Sequence, residues 1–167
     1  MADYFSQTVI RPDIPLTAMT ALEYAALGQI FGTERVGDDV YFSARYGPSD
    51  IVILEALEAR ALLERDDGVS STLADLVRKA LADLDPGEPN LELDMWMIGF
   101  EAIFQDVVRR SALDYIEVET AWTCTKMRPD GFGGAACLIT ADDIKSMSTG
   151  EWPAESIQAL ASRADPG

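Results

Sequence analysis

Three groups of side chains have the types and spacing to do chemistry, and each also has a plainer reading. The loop Asp130-Gly-Phe-Gly-Gly134, flanked by Lys126 and Arg128, offers backbone amides and two cations, the parts of a phosphate cradle. It lacks a Gly-Lys-Ser/Thr ending, and the next segment reads as a strand where phosphate loops lead into a helix. The plainer reading is a wide hairpin turn whose glycines adopt positive φ, with Phe132 exposed at its tip. Cys124 and Cys137 would lie on facing strands of that hairpin, where a disulfide is geometrically open to them. Two buried, reduced thiols are the default in a reducing cytosol, and two such distant cysteines make no zinc knuckle. The third group is the carboxylates, in close pairs at Asp66/Asp67, Glu92/Asp94, Glu117/Glu119 and Asp142/Asp143. A carboxylate pair can serve as acid and base or hold Mg2+, but none of these sits in an EF-hand or other metal loop.

The elements that carry these groups belong to a chain dominated by charge. Its 167 residues hold 29 Asp and Glu against 13 Lys and Arg, a net charge of −16, with no histidine. The missing histidine excludes a Ser-His-Asp triad, a Cys-His pair and any histidine metal site, and leaves the cysteines only a helix N-terminus or Lys126 to lower a pKa. No catalytic residue, metal or cofactor is assigned. Such acidity repels nucleic acid and anionic membranes and attracts basic protein patches, increasingly so as salt falls. Half of the excess lies between Asp50 and Asp94, where twelve acidic residues face four basic ones. Acids at i and i+2 of a strand point the same way about 6.6 Å apart, comparable with successive phosphates of a nucleic-acid strand. Glu92/Asp94 and Glu117/Glu119 both have that spacing, so such a surface could occupy a site meant for DNA or RNA; the plainer reading is that the acids keep the protein soluble.

The elements follow from periodicity. Tyr4 to Ile10 alternates as a strand, and Met19, Leu22, Ala26, Leu27 and Ile30 mark a helix from about Thr17 to Phe31, with a Thr20/Glu23 capping box and Gly32 as terminator. Val40 to Tyr46 reads as a strand. Ile51 to Leu54 fits either a short strand or the start of one helix from Ser49. Ser70 or Ser71 caps a helix bearing Leu73, Val77 and Leu81, and Leu91/Leu93 alternate with Glu92/Asp94 in a short half-exposed strand. A helix with Met97, Phe100, Ile103, Phe104, Val107 and Val108 on one face follows, then a strand from Leu113 to Thr125 and a returning strand from Ala135 to Thr140. Thr140 to Asp143 opens a short helix, and Pro153 to Ala164 forms the last. The reading is one α+β domain over residues 1–167, a mixed or antiparallel sheet with a C-terminal hairpin packed on several amphipathic helices. The N-terminal stretch lacks a basic region followed by an apolar run, and no window is apolar enough to span a membrane, so a cytoplasmic location is expected.

Trp122 through Gly134, Leu138 through Asp142, Phe104 through Ser111 and Tyr46 through Asp50 together resemble small acidic proteins of unknown function carried on proteobacterial plasmids and mobile elements. The resemblance implies a genomic setting and transfers no functional residue. By class analogy, small acidic proteins of mobile elements include anti-restriction and anti-CRISPR inhibitors. The leading expectation is therefore a non-enzymatic inhibitor that blocks a basic, nucleic-acid-binding surface of a host defence complex through Asp66, Asp67, Glu92, Asp94, Glu117 and Glu119. A docking module using Lys126, Arg128 and Phe132 is the first alternative, and a carboxylate/divalent-metal enzyme the second. Exposed Trp96, Trp152 or Phe132 would favour a homo-oligomer, although aromatic residues at these spacings are more often core.

Overall fold

The computed structural model describes residues 3–128 and 131–163. In chain order the elements are β1 (Tyr4–Arg11), β2 (Ile14–Pro15), α1 (Ala21–Ile30), β3 (Gly32–Val36), β4 (Asp39–Ala44), β5 (Ile51–Glu55), α2 (Ala56–Arg65), α3 (Thr72–Asp83), β6 (Asn90–Asp94), α4 (Phe100–Arg110), β7 (Tyr115–Cys124), β8 (Phe132–Thr140), β9 (Ile144–Ser148) and α5 (Glu151–Arg163). Seven strands form one antiparallel sheet in the order β2-β4-β1-β7-β8-β9, with β3 also pairing β4, while β5 and β6 form a separate two-stranded ribbon. This is the α+β class expected from the sequence. No described helix is long and apolar enough to cross a membrane.

Period-two alternation sorts the main sheet into two faces. Ile10, Val40, Phe42, Ile116, Val118 and Ile139 point inward and are buried with the apolar stripes of the helices. At the centre the rings of Phe31, Phe42, Phe100 and Phe104 meet at centroid distances of 5.1 to 6.3 Å, mostly edge to face. The ribbon closes the same core with Val52, Leu54, Leu91 and Leu93. The odd residues of β7 lie on the opposite, outer face of the main sheet.

Acidic side chains hold the helix starts. Thr20 and Glu23 form the expected capping box on α1. Glu23 is fully buried and does more, accepting from the Ser71 hydroxyl at 2.7 Å and pairing with Arg110 of α4, so that one carboxylate ties α1, α3 and α4 together. Asp106 accepts from Thr72 N at 2.6 Å at the start of α3, and Asp66 accepts from Leu22 N at 3.1 Å at the start of α1. Each supplies an acceptor to an N–H that the helix itself leaves unpaired, where negative charge also complements the dipole.

Several boundaries differ from the sequence reading, each for a local reason. The first helix begins at Ala21 and not near Thr17, because Leu16–Ala18 forms a single 3-10 turn and Met19 is extended before the Thr20 cap. Gly32 opens β3, a strand with every residue exposed and so no apolar alternation to betray it. Met97 lies in a 3-10 turn and is exposed; Gly99 at φ 71 turns the chain into α4, a backbone angle that glycine adopts without strain. Residues 51–54 are strand. Thr140 to Asp143 is the β8–β9 turn and no helix: Thr140 N donates to Asp143 O at 2.9 Å and Asp143 N to Thr140 Oγ1 at 3.1 Å. A threonine followed by aspartate three residues on serves a turn as well as a cap.

Candidate functional site

The ribbon joins two chemistries on one exposed face. Leu91 and Leu93 turn into the core, so Glu92 and Asp94 turn out, about 6.6 Å apart by strand geometry. Across the pair, Ile53 lies opposite Glu92 and Ile51 opposite Asp94, and both isoleucines are about half exposed, at 51% and 48%. Glu55 continues the acidic face on β5, and neither strand contains a lysine or arginine. No ion pair reaches Glu92 or Asp94 among the described residues; Asp94 accepts from Trp96 N at 3.0 Å and thereby sets the turn that leaves Trp96 81% exposed. Beside that turn lies a shallow depression of about 230 Å³ lined by Ser49, Asp50, Trp96, Phe100 and Glu101.

Glu117 and Glu119 have the same spacing on β7 but different company. They stand on the outer face of the main sheet, where Arg11 of β1 bridges both, at 3.5 Å and 2.9 Å. Lys145 of β9 lies in the same cross-strand row, beyond Leu138. Asp66 is half-buried and occupied as a cap on α1, leaving Asp67 as the exposed member of its pair. The six acidic candidates therefore do not form one surface. Asp66/Asp67 and the ribbon touch opposite ends of α1, since Asp66 bonds Leu22 while Gln29 bonds Ile53, a run of about 10 Å along the helix. The β7 pair lies on the outer side of the main sheet, opposite the face that α1 to α4 cover, where Glu119 shares a groove with Trp152 and Pro153 of α5.

The glycine loop resolves differently from the expectation. Lys126 and Arg128 are exposed, as is Met127 at 91%. Phe132 is exposed, but it is the first residue of β8, opposite Thr123, and not a loop tip. Gly133 and Gly134 are strand residues without positive φ; a Cβ on Gly133 would collide with the Trp122 indole across the pair, and one on Gly134 would meet Thr120 O at 3.0 Å. Close cross-strand packing, rather than a turn conformation, demands those glycines. Pro129 and Asp130 lie outside the described residues.

Cys124 and Cys137 are free. They do sit on facing strands, but Cys137 pairs with Val118 and Cys124 lies six residues further along β7, so no disulfide can join them. Burial, reinforced by the Glu101 charge, pushes the Cys137 thiol up to about 11, which keeps it protonated at neutral pH. Among the described residues no three metal-ligating side chains converge.

Sequence reasoning found Glu92 and Asp94 but missed the apolar half of their surface. The signal was present in Ile51-Val-Ile-Leu54, where an uninterrupted apolar run on a two-stranded ribbon must expose half its members. Phe132 is exposed as expected, and Trp96 and Trp152, for which core was the plainer reading, are exposed as well. No family model, curated protein or solved structure matches the chain.

Proposed function

We propose that this chain is an acidic, non-enzymatic binding protein that docks its β5–β6 ribbon onto a basic, nucleic-acid-binding surface and so inhibits the complex that carries it. One observation supports this above the others: Glu92 and Asp94 are exposed, phosphate-spaced and, among the described residues, in no ion pair, beside Ile51, Ile53 and Trp96. The carboxylates would steer and register the encounter, and the isoleucines and tryptophan would supply buried apolar contact. A host defence nucleoprotein complex is the proposed target class by analogy with the acidic inhibitors that mobile elements carry. Capture from a bacterial lysate at low and high salt, with DNA as competitor, tests the reading. Recovery of a nucleic-acid-binding complex that salt or DNA displaces is expected; a partner held equally well under all conditions would overturn the mechanism.

A second reading, docking through Lys126, Arg128 and Phe132, draws on the exposure of Met127 and Phe132. It predicts that the double substitution Arg128→Ala and Phe132→Ala abolishes capture while reversal of Glu92 and Asp94 leaves it intact.

A further inference from the structure

The two edges of the ribbon are treated differently. Across β5–β6 the hydrogen-bonded positions are the even residues of β5: Ala56 N donates to Pro89 O and Met95 N to Asp50 O, both at 2.8 Å, at the two ends of the same register. Ile53 therefore turns its N–H and C=O away from β6. The Gln29 amide of α1 satisfies both, accepting from Ile53 N at 2.9 Å and donating to Ile53 O at 2.8 Å, so a single side chain stands in for a neighbouring strand. By the same alternation Asn90, Glu92 and Asp94 turn their backbone groups outward from the other edge. Among the described residues β6 pairs only with β5, and no hydrogen bond reaches the Glu92 N–H or C=O.

We infer that the outer edge of β6 accepts an extended basic segment of a partner protein as a third strand, an inference that rests on the ribbon reading above. The edge supplies main-chain donors and acceptors, and the side chains choose the occupant. Residues of the added strand opposite Glu92 and Asp94 project on the acidic face and would be lysine or arginine. Those between them project on the side of Leu91 and Leu93 and would be apolar. A second copy of this chain fits poorly, because pairing β6 with itself brings two acidic rows together with no cation on either strand.

The probe is the capped heptapeptide Lys-Val-Lys-Val-Lys-Val-Lys, with two doubly methylated isomers of identical charge, one carrying backbone N-methyl groups at its two inner lysines and one at two of its valines. Titrated into the full chain and followed by NMR, the unmodified peptide is expected to slow exchange of the Glu92 amide at least tenfold. Whichever isomer methylates the ladder-facing amides should bind at least tenfold more weakly, and the other should bind nearly as well. Equal binding of all three would overturn the added strand while leaving the electrostatic ribbon standing. Binding by none would also overturn it, and the ribbon reading would then be judged separately by reversing Glu92 and Asp94 in lysate capture. Protection of Glu92 that grows with protein concentration and without peptide would assign the edge to a second copy and overturn the basic partner.

Discussion

Two acidic pairs with the same sequence spacing have opposite surroundings. Glu117 and Glu119 on β7 have β1 as a neighbour, and β1 ends in Arg11, which bridges both; Glu92 and Asp94 on β6 have β5 as a neighbour, and β5 offers only isoleucines across the pair. The difference is one of cross-strand pairing. A spacing rule identifies carboxylates that point the same way, but the strand that folds alongside decides whether their charge is already answered. The β7 pair belongs to a mixed-charge row on a broad sheet; the β6 pair belongs to a uniformly acidic, half-apolar face with an open strand edge.

The contrast can be pressed from its strongest case to its weakest. Glu23 is the carboxylate with the most partners, and Glu23→Ala would leave the buried Ser71 hydroxyl without its acceptor and Arg110, which keeps Ser70 O, without its counter-charge. A loss of about 3–5 kcal/mol is expected, read as a shift of the denaturation midpoint; a loss under about 1 kcal/mol would mean the network is dispensable. Reversing the unpaired pair, with Glu92→Lys and Asp94→Lys, should weaken capture of a basic partner about 30- to 100-fold, the scale of about 2–3 kcal/mol, while losing only about 1 kcal/mol of stability with the Asp94 cap on the Trp96 turn. Asp66→Ala removes a cap from α1 and should cost about 1 kcal/mol in chemical denaturation without altering capture, which separates Asp66 from the binding surface.

Arg11→Ala converts the β7 row toward the ribbon's condition. Because exposed ion pairs contribute about 0–1 kcal/mol, stability should barely move, while low-salt affinity for polylysine should rise. An unchanged affinity would show that Arg11 does not shield the pair. The smallest effect concerns Cys137. With its thiol at about 11 against an ordinary 9.0, the folded state holds the proton more tightly than the unfolded state. That contribution is complete below pH 9.0 and is lost as pH rises toward 11. Alkylation of the native thiol by iodoacetamide should stay slow at pH 8 and accelerate only toward that value; rapid modification at pH 8 would contradict it.

Much of the fold was legible because strongly amphipathic elements announce themselves. The Phe104-centred stripe of α4, the Thr20/Glu23 box and the alternation of β7 all read directly. What escaped lacked such a signal: β3 exposes every side chain, and the Thr140/Asp143 turn shares its residue pattern with a helix cap. At the candidate site, spacing identified Glu92 and Asp94, but not that Arg11 answers Glu117 and Glu119 or that Asp66 is spent on a helix start. Those depend on contacts between residues 44 to 108 positions apart, which no local pattern encodes.

The unpaired acidic row on the proposed ribbon surface binds, and the row that Arg11 bridges does not. Quantitative lysate capture by three proteins separates the two rows: the unchanged chain, Glu92→Lys/Asp94→Lys, and Glu117→Lys/Glu119→Lys. Nucleic-acid-binding proteins are expected with the first and third and not with the second. Equal recovery by all three, or a loss confined to the third, would contradict the proposed ribbon surface.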